Sequence, residues 1–497
     1  MMTLLANINF QAPDIVFYDL IPIVIFGLLM AGALALESGD ERNPDQSEGL
    51  GPYRPTILGV GAIGLTCLLG YYLNYEGNGF SLSFNEMLVN DSLSRASGFL
   101  ITVCALLVIL AGPDELQRYR SQRSGEFCAL IFAASLGMIL MAMAANTMVL
   151  FLGLELFSLA LYLLCIFLPE RAAGREAGMK YFLLSSTASA ILLYGLALLY
   201  GSTGTTWILE MSEVSDTAHP GLALAGAVMV LCGLLFKLAI VPFHFWAPDV
   251  YEGAPTTVTA FMSVATKVAA IAALWRLIPA FSELASQISL LILFSVAALT
   301  ILVGNFLALA QSNVKRMLAY SGIANAGYLL IAPATGADMM VPMLFFLSTY
   351  LVGNIGAFLA LAQVEALLGK EIEFQDLHGL FHRKPWLASC MAISLVSLAG
   401  LPPAAGFMGK FLLFGKALST SQFFLPVLAI AGSVIGAGYY LRATVKLFAK
   451  LNEEDEVAMV ETEFSTSHVA LGLCVAGVLY LGLLPGEFIA RLASGSL

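Results

Sequence analysis

The chain has 497 residues, 59% of them hydrophobic and only 11% charged. Soluble domains carry about 25% charged residues, so an ordinary soluble enzyme is excluded and a multi-pass membrane protein is implied. The formal charge of −11 names no partner, because the acids gather in loops such as Glu453 to Glu456.

The first ten residues, MMTLLANINF, lack a basic n-region and a cleavage site, so the first helix is expected to be retained and not to be a signal peptide. A helix needs about 20 mostly apolar residues to cross a bilayer. Fourteen stretches qualify: 15–36, 56–75, 96–112, 126–144, 147–168, 178–200, 222–246, 256–277, 287–310, 317–333, 341–367, 386–414, 423–449 and 468–488. Between the second and third, GFSLSFNEML (79–88) alternates apolar and polar residues and predicts a small hairpin. With both termini placed outside, 16 basic residues fall on the inside, among them Arg42, Arg118, Arg120, Lys180, Lys315 and Arg316. Only 4 fall outside, Arg95, Arg276, Lys416 and Arg491. That bias agrees with the positive-inside rule and supports the count of spans. The longest hydrophilic pieces, 38–55, 202–220 and 368–385, leave no room for a soluble catalytic domain.

Several motifs carry less than they promise. The seven cysteines each stand alone in apolar runs, so neither iron–sulfur nor zinc ligation is expected. GVGAIG (59–64) matches a dinucleotide pattern but lies inside a span with no strand before it. His378 and His382 have metal-ligand spacing, yet they fall in a loop. Asp249 and Glu252 are expected to cap an inside turn.

Three basic residues, Lys237, Lys267 and Lys410, and one acid, Glu155, lie deep within predicted spans, away from their ends. Each charge at the bilayer centre costs roughly 2.5–3.5 kcal/mol, so they must face the bundle interior, a partner charge or water. Pro242 follows Lys237 in GLLFKLAIVPFHFWAPDV, and Pro402 and Pro403 precede Lys410 in LAGLPPAAGFMGK. The first proline is expected to free the Leu238 carbonyl beside Lys237. Proline breaks in both halves of a membrane chain point to inverted repeats. Gly353, Asn354 and Gly356 mark a third weak point. His244 lies seven residues after Lys237, about 10 Å along an ideal helix, and is a natural proton relay. Tyr320 and Ser321 are further candidates for a polar path. Each residue also has a plainer reading: Glu155 as a structural carboxylate, the lysines as snorkelling cations, His244 as a satisfied interfacial histidine. Three lysines in different spans together with a glutamate point instead to an ionisable row.

The stretches KLAIVPFHFWAPDVYEGAPTTVTAFMSVATKVA, NVKRMLAYSGIANAGYLL, EAGMKYFLLSS and LAGLPPAAGFMGKFLLF resemble the antiporter-like subunits of respiratory complex I, over roughly residues 90–450. A lysine at 410, the chain length and the lack of a long lateral helix favour one branch of that family. A related branch would carry glutamate at that position. The resemblance implies an all-α polytopic membrane protein with about 14 transmembrane helices, two inverted five-helix repeats, and breaks in helices 7 and 12. The corresponding division is 1–125, 126–277, 287–450 and 451–497. Glu155 matches the family glutamate of the fifth helix, Lys180 a basic residue opening the sixth, Lys237 and Lys267 the lysines of the seventh and eighth, His244 the relay, and Lys410 the terminal group. The family translocates protons. NAD, FMN, iron–sulfur clusters and quinone are expected in partner subunits and no cofactor in this chain. Expected partners are the other membrane subunits of complex I and the lipid bilayer of a bacterial inner membrane, with no nucleic acid. A cation/proton antiporter subunit and a non-conducting scaffold are the alternative readings.

Overall fold

The computed structural model describes residues 16–40, 54–74, 79–118, 123–213, 219–284, 286–419, 423–450 and 465–495. MMTLLANINF, Arg42, Arg120 and Glu453 to Glu456 lie outside the described residues. The described residues are mostly helical: α1 (Ile21–Asp40), α2 (Arg54–Leu73), α3 (Ser92–Arg118), α4 (Ser124–Ala142), α5 (Thr147–Cys165), α6 (Ala172–Thr203), α7 (Ile208–Glu213), α8 (Pro220–Lys237), α9 (Trp246–Gly253) and α10 (Thr256–Leu284). There follow α11 (Ser286–Leu309), α12 (Val314–Leu329), α13 (Ile331–Thr335), α14 (Met340–Leu368), α15 (Leu380–Arg383), α16 (Pro385–Ala399), α17 (Ala405–Leu418), α18 (Phe424–Leu447), α19 (Thr466–Leu483) and α20 (Pro485–Ser494). Within the described residues, 12 helices are long and apolar enough to cross a membrane, and Ile21–Glu37 and Pro385–Ala399 are shorter apolar helices. Together they occupy the fourteen predicted spans.

Lipid offers the backbone no hydrogen-bond partner, which is why apolar runs of this length close into helices. Lipid also gives helices no hydrophobic drive to associate, so contact depends on close fit and small residues. On α4 and α5, a Cβ at Gly137 would lie 2.7 Å from the Gly153 carbonyl oxygen, and the reverse distance is the same. Gly195 and Gly226 make the equivalent crossing of α6 with α8. GVGAIG is such a surface and not a nucleotide loop: Gly64 receives Leu29 of α1 and Gly61 receives Phe132 of α4. Outer faces stay apolar, as with Leu152, Leu159 and Leu163 of α5, all exposed.

The core is built on α10, α12 and α14. Every residue from Thr256 to Leu274 is buried. α14 is unbroken from Met340 to Leu368, so the expected weak point at Gly353–Gly356 does not exist. There Gly356 admits Ser394 of α16, and Asn354 donates to Ser263 of α10 across 2.6 Å.

The predicted hairpin forms: β1 (Ser81–Ser83) pairs antiparallel with β2 (Leu88–Asn90). Buried Asp19, just before α1, accepts from Ser81 (2.5 Å), Ser83 (3.0 Å) and Asn90 (2.6 Å), which fastens the hairpin to the bundle. At the same end Arg276 donates twice to Asp91, at 2.9 and 2.8 Å, and once to the Ala142 carbonyl. Burial alone would raise the Asp91 carboxyl, but the Arg276 guanidinium holds it below its usual value.

Candidate functional site

The stretch that carries Lys237 is helical only up to that lysine. Residues 238–245 are irregular, with Ala239 in the left-handed region at φ +56° and the Val241–Pro242 bond cis. A left-handed alanine is a strained residue that surrounding contacts must hold. Trp246 Nε1 donates to the Phe236 carbonyl (3.0 Å), and the Val241 amide donates to Thr300 of α11 (3.1 Å). The break thus begins at Leu238, four residues before Pro242. The carbonyl that a side chain meets at the break is that of Phe236.

Lys237 is 3% exposed, Lys267 2% and Lys410 7%. The Lys237 amine donates to Ser158 of α5 (2.7 Å) and Ser185 of α6 (2.5 Å), between the rings of Phe157 and Tyr181. Glu155 lies three residues before Ser158, so the two share a face of α5. It makes no ion pair with Lys237; its Oε1 is buried with no partner among the described residues. The expected Glu155–Lys237 pair is therefore open in this structure, and two hydroxyls hold the amine.

Lys267 donates to the Ser263 carbonyl one turn earlier (2.8 Å), near the Tyr251 ring. A Cβ at Gly322 of α12 would lie 3.1 Å from the Tyr350 hydroxyl and 3.7 Å from the Lys267 amine, so both groups rest against the same glycine. Lys410 reaches out of α17 to the last turn of α16, donating to the Leu398 (2.9 Å) and Ala399 (3.2 Å) carbonyls and to Ser433 of α18 (3.0 Å). A cation at the open carbonyls of a helix end is stabilised by the helix dipole. Its amine stands 5.7 Å from the centre of the Tyr328 ring. From there hydrogen bonds of 3.1 Å each link the Tyr328 hydroxyl to Asn305 and Asn305 to the Tyr439 hydroxyl.

His244 lies in the irregular segment, buried against Phe245, with Nδ1 unpartnered among the described residues. No hydrogen bond joins it to Lys237 or Lys267. Lys180 and Tyr320 stand apart, at the end of the molecule that carries Arg316. Lys180 pairs with Glu176 (2.8 Å) and Asp249 (3.1 Å). Arg316 pairs with Asp249 (2.9 Å) and Glu252 (2.6 Å), and its guanidinium covers the Tyr320 ring. Asp249 and Glu252 are therefore members of an ionic network joining α6, α9 and α12, and not simple caps. Burial pushes the Asp249 carboxyl up, but Lys180 and Arg316 outweigh it and hold it below its usual value.

Sequence reasoning found the four intramembrane charges but missed Ser158, Ser185, Tyr328, Tyr350, Asn305 and Tyr439. The available signal was spacing: Ser158 lies one turn from Glu155.

These features define a multi-pass helical membrane protein with cations buried along its interior. Residues 144–436 match the family described as NADH:quinone oxidoreductase/Mrp antiporter, transmembrane. The chain is 39% identical over 443 residues to NADH-quinone oxidoreductase subunit N 1 of Symbiobacterium thermophilum, covering 86% of this chain and 89% of that one. It also matches a chain of respiratory complex I from Thermus thermophilus, with TM-score 0.79 and 32% identity over 95% of this chain and 99% of that one. A chain of the Mrp complex from Dietzia shares the fold, with TM-score 0.79 and 20% identity over 97% of each chain. The chain belongs to the antiporter-like membrane subunit family of NADH-quinone oxidoreductase, on the subunit N branch.

Proposed function

We propose that this chain is a proton-translocating subunit of a membrane NADH-quinone oxidoreductase, and that Glu155, Lys237, His244, Lys267 and Lys410 carry the proton. The observation that carries the reading is the state of the three lysine amines. All are buried, and each is held by hydroxyls or backbone carbonyls with no carboxylate at ion-pair distance. A buried amine with no carboxylate partner is poised to give up its proton when a nearby charge moves.

Glu155 is the charge that moves. It lies within electrostatic reach of Lys237. When the carboxylate closes on Lys237 the protonated amine is favoured; when the pair opens, the proton passes by His244 to Lys267. From Lys267 the Tyr350, Tyr439, Asn305 and Tyr328 side chains line the way to Lys410. Moving one charge against 100 mV costs about 2.3 kcal/mol, so opening the pair must change the energy of Lys237 by more than that. Two inverted repeats, 126–277 and 287–450, would place Lys237 and Lys410 in related positions beside their helix breaks. Electron transfer through NAD, FMN, iron–sulfur clusters and quinone is assigned to partner subunits. Both termini are assigned to the outside, and the exposed leucine faces to lipid.

The test is Lys237→Ala in the assembled complex. Protons moved per NADH oxidised should fall while assembly and electron transfer persist; a ratio equal to the parent's refutes the reading.

A further inference from the structure

A second polar line reaches Lys267, from the end of the molecule that carries Arg316. It runs along the seam between α10 and α14 and does not touch Lys237.

On α10, Thr256, Thr259, Ser263 and Lys267 are spaced by three, four and four residues, which sets them on one face, and all four are buried. On α14, Tyr350, Asn354 and Glu365 also fall on one face, since intervals of four and eleven are close to whole turns. The helices run antiparallel and meet at three levels. Thr256 donates to Glu365 Oε2 across 2.6 Å. Asn354 donates to Ser263 across 2.6 Å. Tyr350 and Lys267 share the surface of Gly322. At each level the α14 residue keeps a buried polar atom with no partner among the described residues: Glu365 Oε1, Asn354 Oδ1 and the Tyr350 hydroxyl. Buried polar groups without partners are rare, and each needs a reason. Three on one line share one.

Glu365 is 4% exposed. Its neighbour Glu115 of α3 is fully engaged, accepting from the Thr256 and Thr257 amides (2.7 and 2.9 Å) and the Thr257 hydroxyl at the start of α10. Lys315 of α12, 2% exposed, donates to the Ala254 carbonyl (2.7 Å), makes no ion pair with Glu365, and lies within its electrostatic reach. On α19, Ser467 bonds Gln363 and Asp114. Of the carboxylates here, Glu365 is the deeply buried one with an oxygen to spare.

We infer that Glu365 takes up protons from the aqueous phase on the Arg316 side and loads Lys267 along the α10–α14 seam. The proton binds Glu365 Oε1. The Thr259 and Ser263 hydroxyls donate to backbone carbonyls and not to one another, so it is then handed along by water bridging the hydroxyls of Thr256, Thr259, Ser263 and Tyr350, each of which can donate and accept. It ends on the neutral Lys267 amine, and Glu365 returns to the carboxylate. One proton moves, and no other bond changes. From Thr256 to Lys267 the path is about 16 Å along the helix axis. The inference rests on the reading of Lys267 as a proton carrier.

The experiment compares Glu365→Gln and Glu365→Asp with Lys237→Ala in the membrane-embedded complex, reading assembly, protons moved per NADH, and infrared difference spectra on a pH step. We expect E365Q to assemble, to lower the proton ratio, and to remove a protonated-carboxyl band, with E365D recovering most of the ratio. If E365Q does not assemble, Thr256→Val, which keeps the carboxylate, carries the same expected loss. If Lys237→Ala lowers the ratio and E365Q does not, the seam is overturned and the function proposed above stands. If E365Q lowers it and Lys237→Ala does not, the seam stands and the Glu155–Lys237 gate falls. An unchanged ratio in both overturns both.

Discussion

Gly400 has to be a glycine for two separate reasons. Its φ is +80°, a region where an L side chain costs about 1–2 kcal/mol. A Cβ there would also lie 2.9 Å from Lys410 Cδ. The same small residue lets the chain turn out of α16 and lets the Lys410 stem pass to the carbonyls it meets. Gly400→Ala should therefore do two things at once: destabilise by about 1–2 kcal/mol, read as a lower thermal midpoint, and displace the amine, read as fewer protons per NADH. A variant that is destabilised yet pumps at the parental ratio would separate the turn from the lysine.

At the scale of elements, close helix crossings replace the hydrophobic drive that lipid removes. Gly137 is the sharpest case, because its missing Cβ would meet backbone atoms on α5, the Phe157 nitrogen at 2.6 Å and the Gly153 oxygen at 2.7 Å. Backbone cannot rotate away as a side chain can. Gly137→Leu is expected to abolish assembly, measured as loss of the intact complex on native gels, whereas Gly27→Ala, with open space around it, should assemble normally. Equal assembly of the two would show that this crossing is not what holds α4 to α5. The pairing of α5 with α4 matters to the site, since α5 carries both Glu155 and Ser158.

At the scale of the whole molecule, the Asp249 network ties α6, α9 and α12 together at one end. Asp249 titrates below its ordinary value of 3.8, because Lys180 and Arg316 outweigh its burial. A carboxyl depressed in the folded state stabilises the fold at pH above its unfolded value and loses that contribution as pH falls through the folded one. Hydrogen exchange in Val250–Gly253 should thus stay slow until pH drops below the ordinary carboxylate range. Arg316→Ala removes one of the two cations, so loosening should then begin at higher pH; an unmoved onset would mean that Arg316 does not hold Asp249.

The sequence by itself determined the helices and the outliers. Apolar runs of span length have one stable form in lipid, and the four charges deep inside them had to turn inward, so Glu155, Lys237, Lys267 and Lys410 were legible in the sequence. The alternation of 79–88 likewise announced the hairpin. What surrounds each charge was decided only by tertiary structure. Ser158, Ser185, Tyr328 and Tyr350 are ordinary polar residues in apolar helices, and nothing local distinguishes them from others that face elsewhere. Tyr320 looked equivalent to them and faces Arg316 instead, because a helix of 3.6 residues per turn sends neighbours in sequence to different partners. Glu365 sits near the end of a predicted span, where a carboxylate is cheap. Only the antiparallel contact of α10 with α14 buries it and aligns it with a row of hydroxyls.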